Sequence, residues 1–384
     1  MNKLFRFPLL VNISFLLLFL NLTCTTPEAG QSAASNSGTQ SAPQFAEKIS
    51  KAQYLMRQHM KENDIPGATI AVSVDGQTVW AEGFGLADVE NRVPVLPSTK
   101  MRVGSVSKSL TSAAIGLLYE QGKLDVDIEV QKYVPSFPKK RYPINTRQVA
   151  GHLAGIRHYK GNEFLISKHY DTVLEGLTIF ADDPLLFEPG EKYSYSSYGW
   201  NLVSAIVEGA AEQDFLSYMQ EYVFRPLGMH NTIADHAYNI IQNRTRFYVH
   251  DNNNLINAPF VDNSYKWAGG GYLSTAEDLL RFGEGMINGD FLKPETVELL
   301  FKSQKTNSGE VTNYGLGWRS SDELDGRRSV GHGGGSIGGS SYFIMFPAEK
   351  TVVAVICNLS GGNWGEPAKE ILKLFTSKES FIKK

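Results

Sequence analysis

Cysteine is nearly absent: the 384 residues hold two, Cys24 and Cys357. A secreted domain stapled by disulfides would carry more, so cross-links do not hold this fold. Cys357 sits inside "TVVAVICNL", an apolar stretch that predicts a buried, unreactive strand position. Clustered positive charge is absent too. The 37 Lys and Arg residues are scattered among 40 Asp and Glu, for a net charge of −3, which argues against a nucleic-acid surface. There is no H-E-x-x-H and no Cys/His cluster, so neither a catalytic metal nor any cofactor is implied. "GHGGGSIGG" is dense in glycine but lacks the strand–glycines–helix order of a dinucleotide loop. No internal repeat occurs.

What is present begins with a leader. Lys3 and Arg6 precede "PLLVNISFLLLFLNLT", which Asn12, Ser14 and Asn21 interrupt. The run is short and polar-spotted for a spanning helix, and its layout predicts a secretory signal peptide over residues 1–23. A mitochondrial transit peptide fits less well, with one Arg in the first 20 residues. Cys24 follows in "LNLTC", which resembles the lipidation box of bacterial lipoproteins, although Thr23 and Asn21 depart from its usual residues. A lipid-anchored envelope protein and a cleaved secretory protein are both open. Residues 24–44, rich in Ser, Gly, Ala and Thr, read as a tether too polar to order itself.

From Phe45 the pattern is globular, with 42% hydrophobic residues in the chain, enough for a substantial core. "FAEKISKAQYLMRQHMKEN" has helical spacing. "GATIAVSV" and "TVWAEGFG" flank Asp75-Gly76, a hairpin signal. "SSYFIMFP" and "KTVVAVICNL" predict two late strands, "GEPAKEILKLF" a closing helix, and "KPETVELLFKSQK" a solvated one. Helices fill the middle. Strands at both ends imply an α+β fold: one antiparallel sheet built from both termini, flanked by helices, with a mostly helical insert. A site belongs where sheet and insert meet.

Three S-x-x-K patterns occur. Ser136/Lys139 lies among prolines that forbid a helix, and Ser380/Lys383 lies in a polar tail. Ser105/Lys108 alone opens a long helical pattern, with Leu110, Ala114 and Leu117 on one face and Gly122 as a stop. Three positions apart on a helix face the same way, so the amine approaches the hydroxyl, and the helix dipole favours a developing anion there. Capping alone would explain a serine at this place. Two further elements argue otherwise: Tyr195-Ser196-Ser197 after a Pro-Gly turn, and His332-Gly333-Gly334 before a strand.

In this order the three elements resemble those of the serine β-lactamase and penicillin-binding protein superfamily, which are S-x-x-K, Tyr-x-Asn or Ser-x-Asn, and Lys/His-x-Gly. "YSS" and "HGG" place the chain nearer the class C and D-Ala-D-Ala peptidase branch. Stretches such as "GLADVENRVPVLPSTKMRVGSVSKSLT", "GIRHY" and "WAGGGYLSTAEDLLRFGEGM" are similar to the mitochondrial serine β-lactamase-like proteins and their bacterial relatives, over roughly residues 50 to 375. Ser197 stands where the wider superfamily has Asn, Ala154 replaces a usual Ser, and a charged insertion after "RHY" is missing.

The resemblance implies an acyl-enzyme on Ser105, with Lys108 and Tyr195 both flanking it and either one serving as base. It implies Ser197 as a partner of Lys108 or of a substrate amide. Backbone N–H groups of Ser105 and Gly335 would form the oxyanion hole, and His332 with Gly334 would line the strand edge that places the substrate. His152 and His158 read as loop-orienting residues. Substrates would be a small peptide, an ester or a β-lactam. A true β-lactamase, and a non-catalytic binding or scaffolding protein that self-assembles, are the alternatives. For the N-terminus the expected outcome is simple: if Cys24 is lipidated, the protein fractionates with membranes and Cys24→Ser releases it. A mature wild-type chain beginning beyond Cys24 by mass spectrometry would contradict this.

Overall fold

In the computed structural model, residues 39–376 are described; the leader, Cys24, most of the tether and the Ser380/Lys383 pair lie outside the described residues. Helix α1 (Ala46–Glu62) leads into the hairpin β1 (Gly67–Val74) and β2 (Gln77–Asp88). The hairpin turns at Asp75-Gly76, both with positive φ, as the sequence signal requires. The long insert contains α2 (Val106–Glu120), α3 (Ser197–Ala211), α4 (Ala276–Asn288) and α5 (Pro294–Phe301). The chain then returns through β3 (Arg319–Leu324), β4 (Arg327–Ser336), β5 (Gly339–Phe346) and β6 (Thr351–Cys357), and closes on α6 (Gly365–Thr376).

The strands form one antiparallel sheet ordered β2-β1-β6-β5-β4-β3. First and last segments meet at its centre, where β6 pairs β1 from Thr351↔Val74 to Cys357↔Ala68. The tether boundary needs correcting: Gln40 and Ser41 pair with Ala81 and Trp80 at the outer edge of β2. An edge strand needs only backbone donors and acceptors, so polar residues suffice there.

Strand β6 is apolar throughout because both faces are covered. Val352, Ala354 and Ile356 point into the core shared with the insert, while Val353, Val355 and Cys357 point into the core under α1 and α6. Cys357 is fully buried, and burial pushes its thiol pKa up, as expected of an inert strand residue. Two expectations from patterning change. Helix α2 is buried on nearly every side from Val106 to Gly116, not along one stripe, so it is the central helix of the domain. Helix α5 is not merely solvated: Thr296 and Leu300 pack against α2 at Gly116, where a methyl group would lie 2.8 Å from Leu292 and 3.1 Å from Leu300. No helix among the described residues is long and apolar enough to cross a membrane.

A buried ion pair links the pieces around the start of α2. Arg102 donates from Nε to Asp235 at 2.6 Å and from Nη1 to the Ile337 carbonyl at 2.7 Å, and Asn263 adds a bond to Asp235 at 2.8 Å. Breaking such a pair strands a charge away from water. Asp235→Ala is therefore expected to cost about 3–5 kcal/mol in chemical denaturation. The exposed Arg147–Asp127 pair should yield about 0–1 kcal/mol on Asp127→Ala. Equal losses would show that burial does not set the difference.

Candidate active site

Ser105 sits immediately before α2 with a backbone already turning in the helical sense (φ −65°, ψ −8°). Gly104 delivers it. That residue has φ +51°, and a Cβ there would lie 2.6–2.7 Å from the backbone of Gly335, so only glycine brings the two segments together.

One turn on, Lys108 reaches back. Its Nζ lies 3.0 Å from Ser105 Oγ, 3.2 Å from Ser197 Oγ and 2.6 Å from the Gly269 carbonyl oxygen. Lys108 is 0% exposed and has no carboxylate partner, and loss of hydration drives its pKa well below the usual lysine value. The geometry suits a neutral amine. The Gly269 oxygen can only accept and Ser197 Oγ can accept, which uses both N–H bonds and leaves the lone pair for the Ser105 hydroxyl proton.

Tyr195 joins this group. Its ring centroid lies 5.0 Å from Lys108 Nζ, and the Ser105 and Ser197 hydroxyls act on its phenol. Burial outweighs every other influence on Tyr195 and raises the phenol pKa to about 12. A phenol whose pKa is raised thus stands beside an amine whose pKa is lowered.

The Tyr195-Ser196-Ser197 turn is held from below. Ser196 caps α3 by accepting from the Gly199 N–H at 3.0 Å. His152 Nδ1 accepts from the Ser196 N–H, and His158 Nδ1 from the Ser197 N–H, each at 3.1 Å. Burial lowers the pKa of both rings, His158 to about 4, which keeps them neutral acceptors.

The His332 element differs from expectation. His332 is 2% exposed, donates from Nδ1 to the Gly333 carbonyl and accepts at Nε2 from the Tyr314 hydroxyl at 2.8 Å. Burial pushes its pKa to about 3. Both nitrogens are engaged, so the ring does not offer the strand edge a free N–H; it supports the wall behind Tyr195, 6.3 Å away between ring centroids. Gly334 likewise serves packing, since a Cβ there would lie 1.9 Å from the Val103 carbonyl oxygen. Gly335 alone of the three is exposed and has open space where a side chain would be. Pairing of β3 with β4 ends at Gly331, which leaves the His332–Ser336 edge without a β3 partner.

Motif reading missed several contributors. Gly269 comes from the short helix Trp267–Gly270, where it contributes a carbonyl and no side chain. Tyr159 packs edge-on against Tyr198 at 4.9 Å between centroids, and Tyr314 is hydrogen-bonded with His332. The only sequence signal for Tyr159 and Gly269 was membership of the similar segments "GIRHY" and "WAGGG"; Tyr314 lies in neither.

Comparison with known proteins agrees with this geometry. The Beta-lactamase family model matches residues 52–377. The mitochondrial serine beta-lactamase-like protein LACTB of Bos taurus is 33% identical, across 88% of this chain and 81% of its own length. A penicillin-binding protein of Bacillus subtilis is 26% identical, across 76% of this chain and 67% of its own. Among solved structures, the octameric penicillin-binding protein homologue from Pyrococcus abyssi superposes with a TM-score of 0.75 at 28% identity, covering 85% of this chain and 77% of that one. A D-amino acid amidase from Ochrobactrum anthropi shares the fold, with a TM-score of 0.73 at 20% identity over 86% and 98% of the two chains. With a serine hydroxyl, an amine and a phenol gathered between sheet and insert, the chain belongs to the serine beta-lactamase and penicillin-binding-protein-like family.

Proposed function

We propose that this protein is an exported serine hydrolase that cleaves amide or ester bonds through an acyl-enzyme on Ser105. The observation that carries the reading is the enclosure of Lys108, without a carboxylate, against Ser105, Ser197 and the Gly269 carbonyl. A serine hydroxyl is a weak nucleophile until a base takes its proton. Lys108 Nζ accepts that proton as Oγ bonds to the substrate carbonyl carbon. The oxyanion so formed faces the backbone N–H groups of Ser105 and Gly335, and such donors are typically worth about 10²–10³-fold each. Collapse breaks the bond to the leaving group, which takes a proton from Tyr195, itself resupplied by Lys108. Water then releases the acyl group by the reverse proton path.

The fold neighbours include a D-amino acid amidase and a hydrolase with promiscuous acyltransferase activity, which supports a peptide, an amide or an ester as substrate class. A scaffolding protein has no use for a buried, unpaired amine, which favours catalysis over the non-catalytic alternative. Export and anchoring through Cys24 rest on the leader, and the mitochondrial location in the relatives' names is the competing destination.

If Lys108 must give up its proton, Lys108→Arg is expected to lower acylation by about 10²–10⁴-fold, because a guanidinium stays charged. Burial holds the lysine pKa low, so the wild-type rate should rise with pH through an ionisation below 10.5 that Lys108→Arg abolishes. Fluorophosphonate labelling of Ser105 followed by mass spectrometry measures both. Near-normal labelling of folded Lys108→Arg would remove the lysine from the role of base.

Beyond Lys108 and Tyr195 the site holds no dedicated group for activating the deacylating water. Nitrocefin turnover is therefore expected to fall below the common enzyme range of roughly 1–10³ s⁻¹. Turnover within that range would make the protein a true β-lactamase.

A further inference from the structure

A cavity of about 500 Å³ has none of Ser105, Lys108, Tyr195 or Ser197 in its lining. It lies at the base of the hairpin formed by Tyr248–Asp251 and Asn254–Asn257, where the Ala258 N–H donates to the Phe247 carbonyl at 2.8 Å. Arg102, Arg244 and Arg246 line it together with Phe247, Pro259 and Phe260, and no acidic side chain does. Its volume falls in the range of small-molecule sites, roughly 300–1,000 Å³.

The three guanidinium groups are fixed by partners outside the lining. Arg102 donates from Nε to Asp235 and from Nη1 to the Ile337 carbonyl, and its carbon Cζ lies 3.8 Å from the centre of the Phe247 ring. Arg244 uses Nη1 alone, toward Asp235 at 3.5 Å and the His236 carbonyl at 3.0 Å. Arg246 donates from Nε to Asp88 at 3.2 Å and places Nη1 3.4 Å from Glu90. Among the described residues no hydrogen bond engages Nη2 of Arg102, Nε or Nη2 of Arg244, or Nη2 of Arg246. One carboxylate, Asp235, serves both Arg102 and Arg244, so that pair carries a positive charge in excess.

Donors from three guanidinium groups exceed what the two oxygens of a carboxylate absorb. A phosphate monoester brings three terminal oxygens and close to two negative charges, and guanidinium forks match its geometry. The remaining wall is apolar. Phe260 is 54% exposed and leans on Tyr238, itself 72% exposed, at 5.8 Å between centroids, a pair of aromatic faces open to cover by a ligand. We propose that this cavity is a binding site for a phosphate monoester carried on an apolar body, with Arg102, Arg244 and Arg246 receiving the phosphate and Phe247, Pro259 and Phe260 the body. The proposal stands independently of the hydrolase reading.

Calorimetric titration of the full chain with phenyl phosphate, benzoate and inorganic phosphate tests it. Phenyl phosphate should bind about tenfold or more tightly than benzoate, and more tightly than inorganic phosphate. Arg246→Gln should weaken phenyl phosphate about tenfold, and Phe260→Ala should weaken phenyl phosphate while leaving inorganic phosphate unchanged. Ser105→Ala should bind as the wild type does. No binding of phenyl phosphate, equal affinity for benzoate, indifference to Arg246→Gln, or loss of binding in Ser105→Ala would each overturn the proposal. Arg244→Gln removes a partner of the buried Asp235, so if it does not fold, the half-exposed Arg246 decides. Sedimentation with phosphatidylcholine vesicles carrying phosphatidic acid separates the two sources of such a group: sedimentation that Arg246→Gln abolishes assigns the phosphate to a lipid headgroup, and its absence assigns it to a soluble ester.

Discussion

The site depends on keeping one amine away from water. An ammonium loses several kcal/mol of hydration when it is enclosed, and a paired carboxylate would normally restore it. None does here, and burial drives the Lys108 pKa well below the usual lysine value. Everything adjacent is arranged around that condition. The central helix places Lys108 one turn from Ser105, the Ser197 hydroxyl and Gly269 carbonyl accept its two remaining N–H bonds, and the phenol of Tyr195 closes the space above. A single acid at hydrogen-bond distance would restore the charge and remove the base.

That enclosure requires a helix buried on all sides, which explains the architecture. Helix α2 is wrapped by the sheet, by α3, by the Trp267–Gly270 turn and by α5, and it tolerates this because its residues are small or apolar, Ser107, Ser109, Thr111, Ser112, Ala113 and Ala114 among them. The hydroxyls do not remain orphaned: Ser109 donates to the Gly317 carbonyl at 2.7 Å and Ser112 to that of Leu316 at 2.5 Å. Polar satisfaction inside the core keeps the catalytic end of the helix in one position.

The neutral histidines fit the same electrostatic condition. His152, His158 and His332 all lie near Lys108 and all have depressed pKa values, chiefly from burial and then from Lys108 itself. As neutral rings they accept hydrogen bonds and hold the Tyr195-Ser196-Ser197 turn and the Tyr314 wall without adding positive charge beside the amine.

Much of this was legible in the residues alone. Alternation and turn chemistry marked the hairpin at Asp75-Gly76 and the late strands, because a strand's periodicity is local. The spacing of Ser105 and Lys108 marked their approach, 3.0 Å from Nζ to Oγ, because a helix brings positions three apart together whatever surrounds it. The polar segment gave no hint that Gln40 and Ser41 extend the sheet, since an edge strand is held by backbone alone. Tertiary structure decided the rest. Which residues enclose Lys108, that His332 turns inward, and that Gly334 packs while Gly335 stays open all depend on contacts between elements far apart in the chain. A pKa follows from how completely water is excluded, and that is settled only when the whole fold has closed.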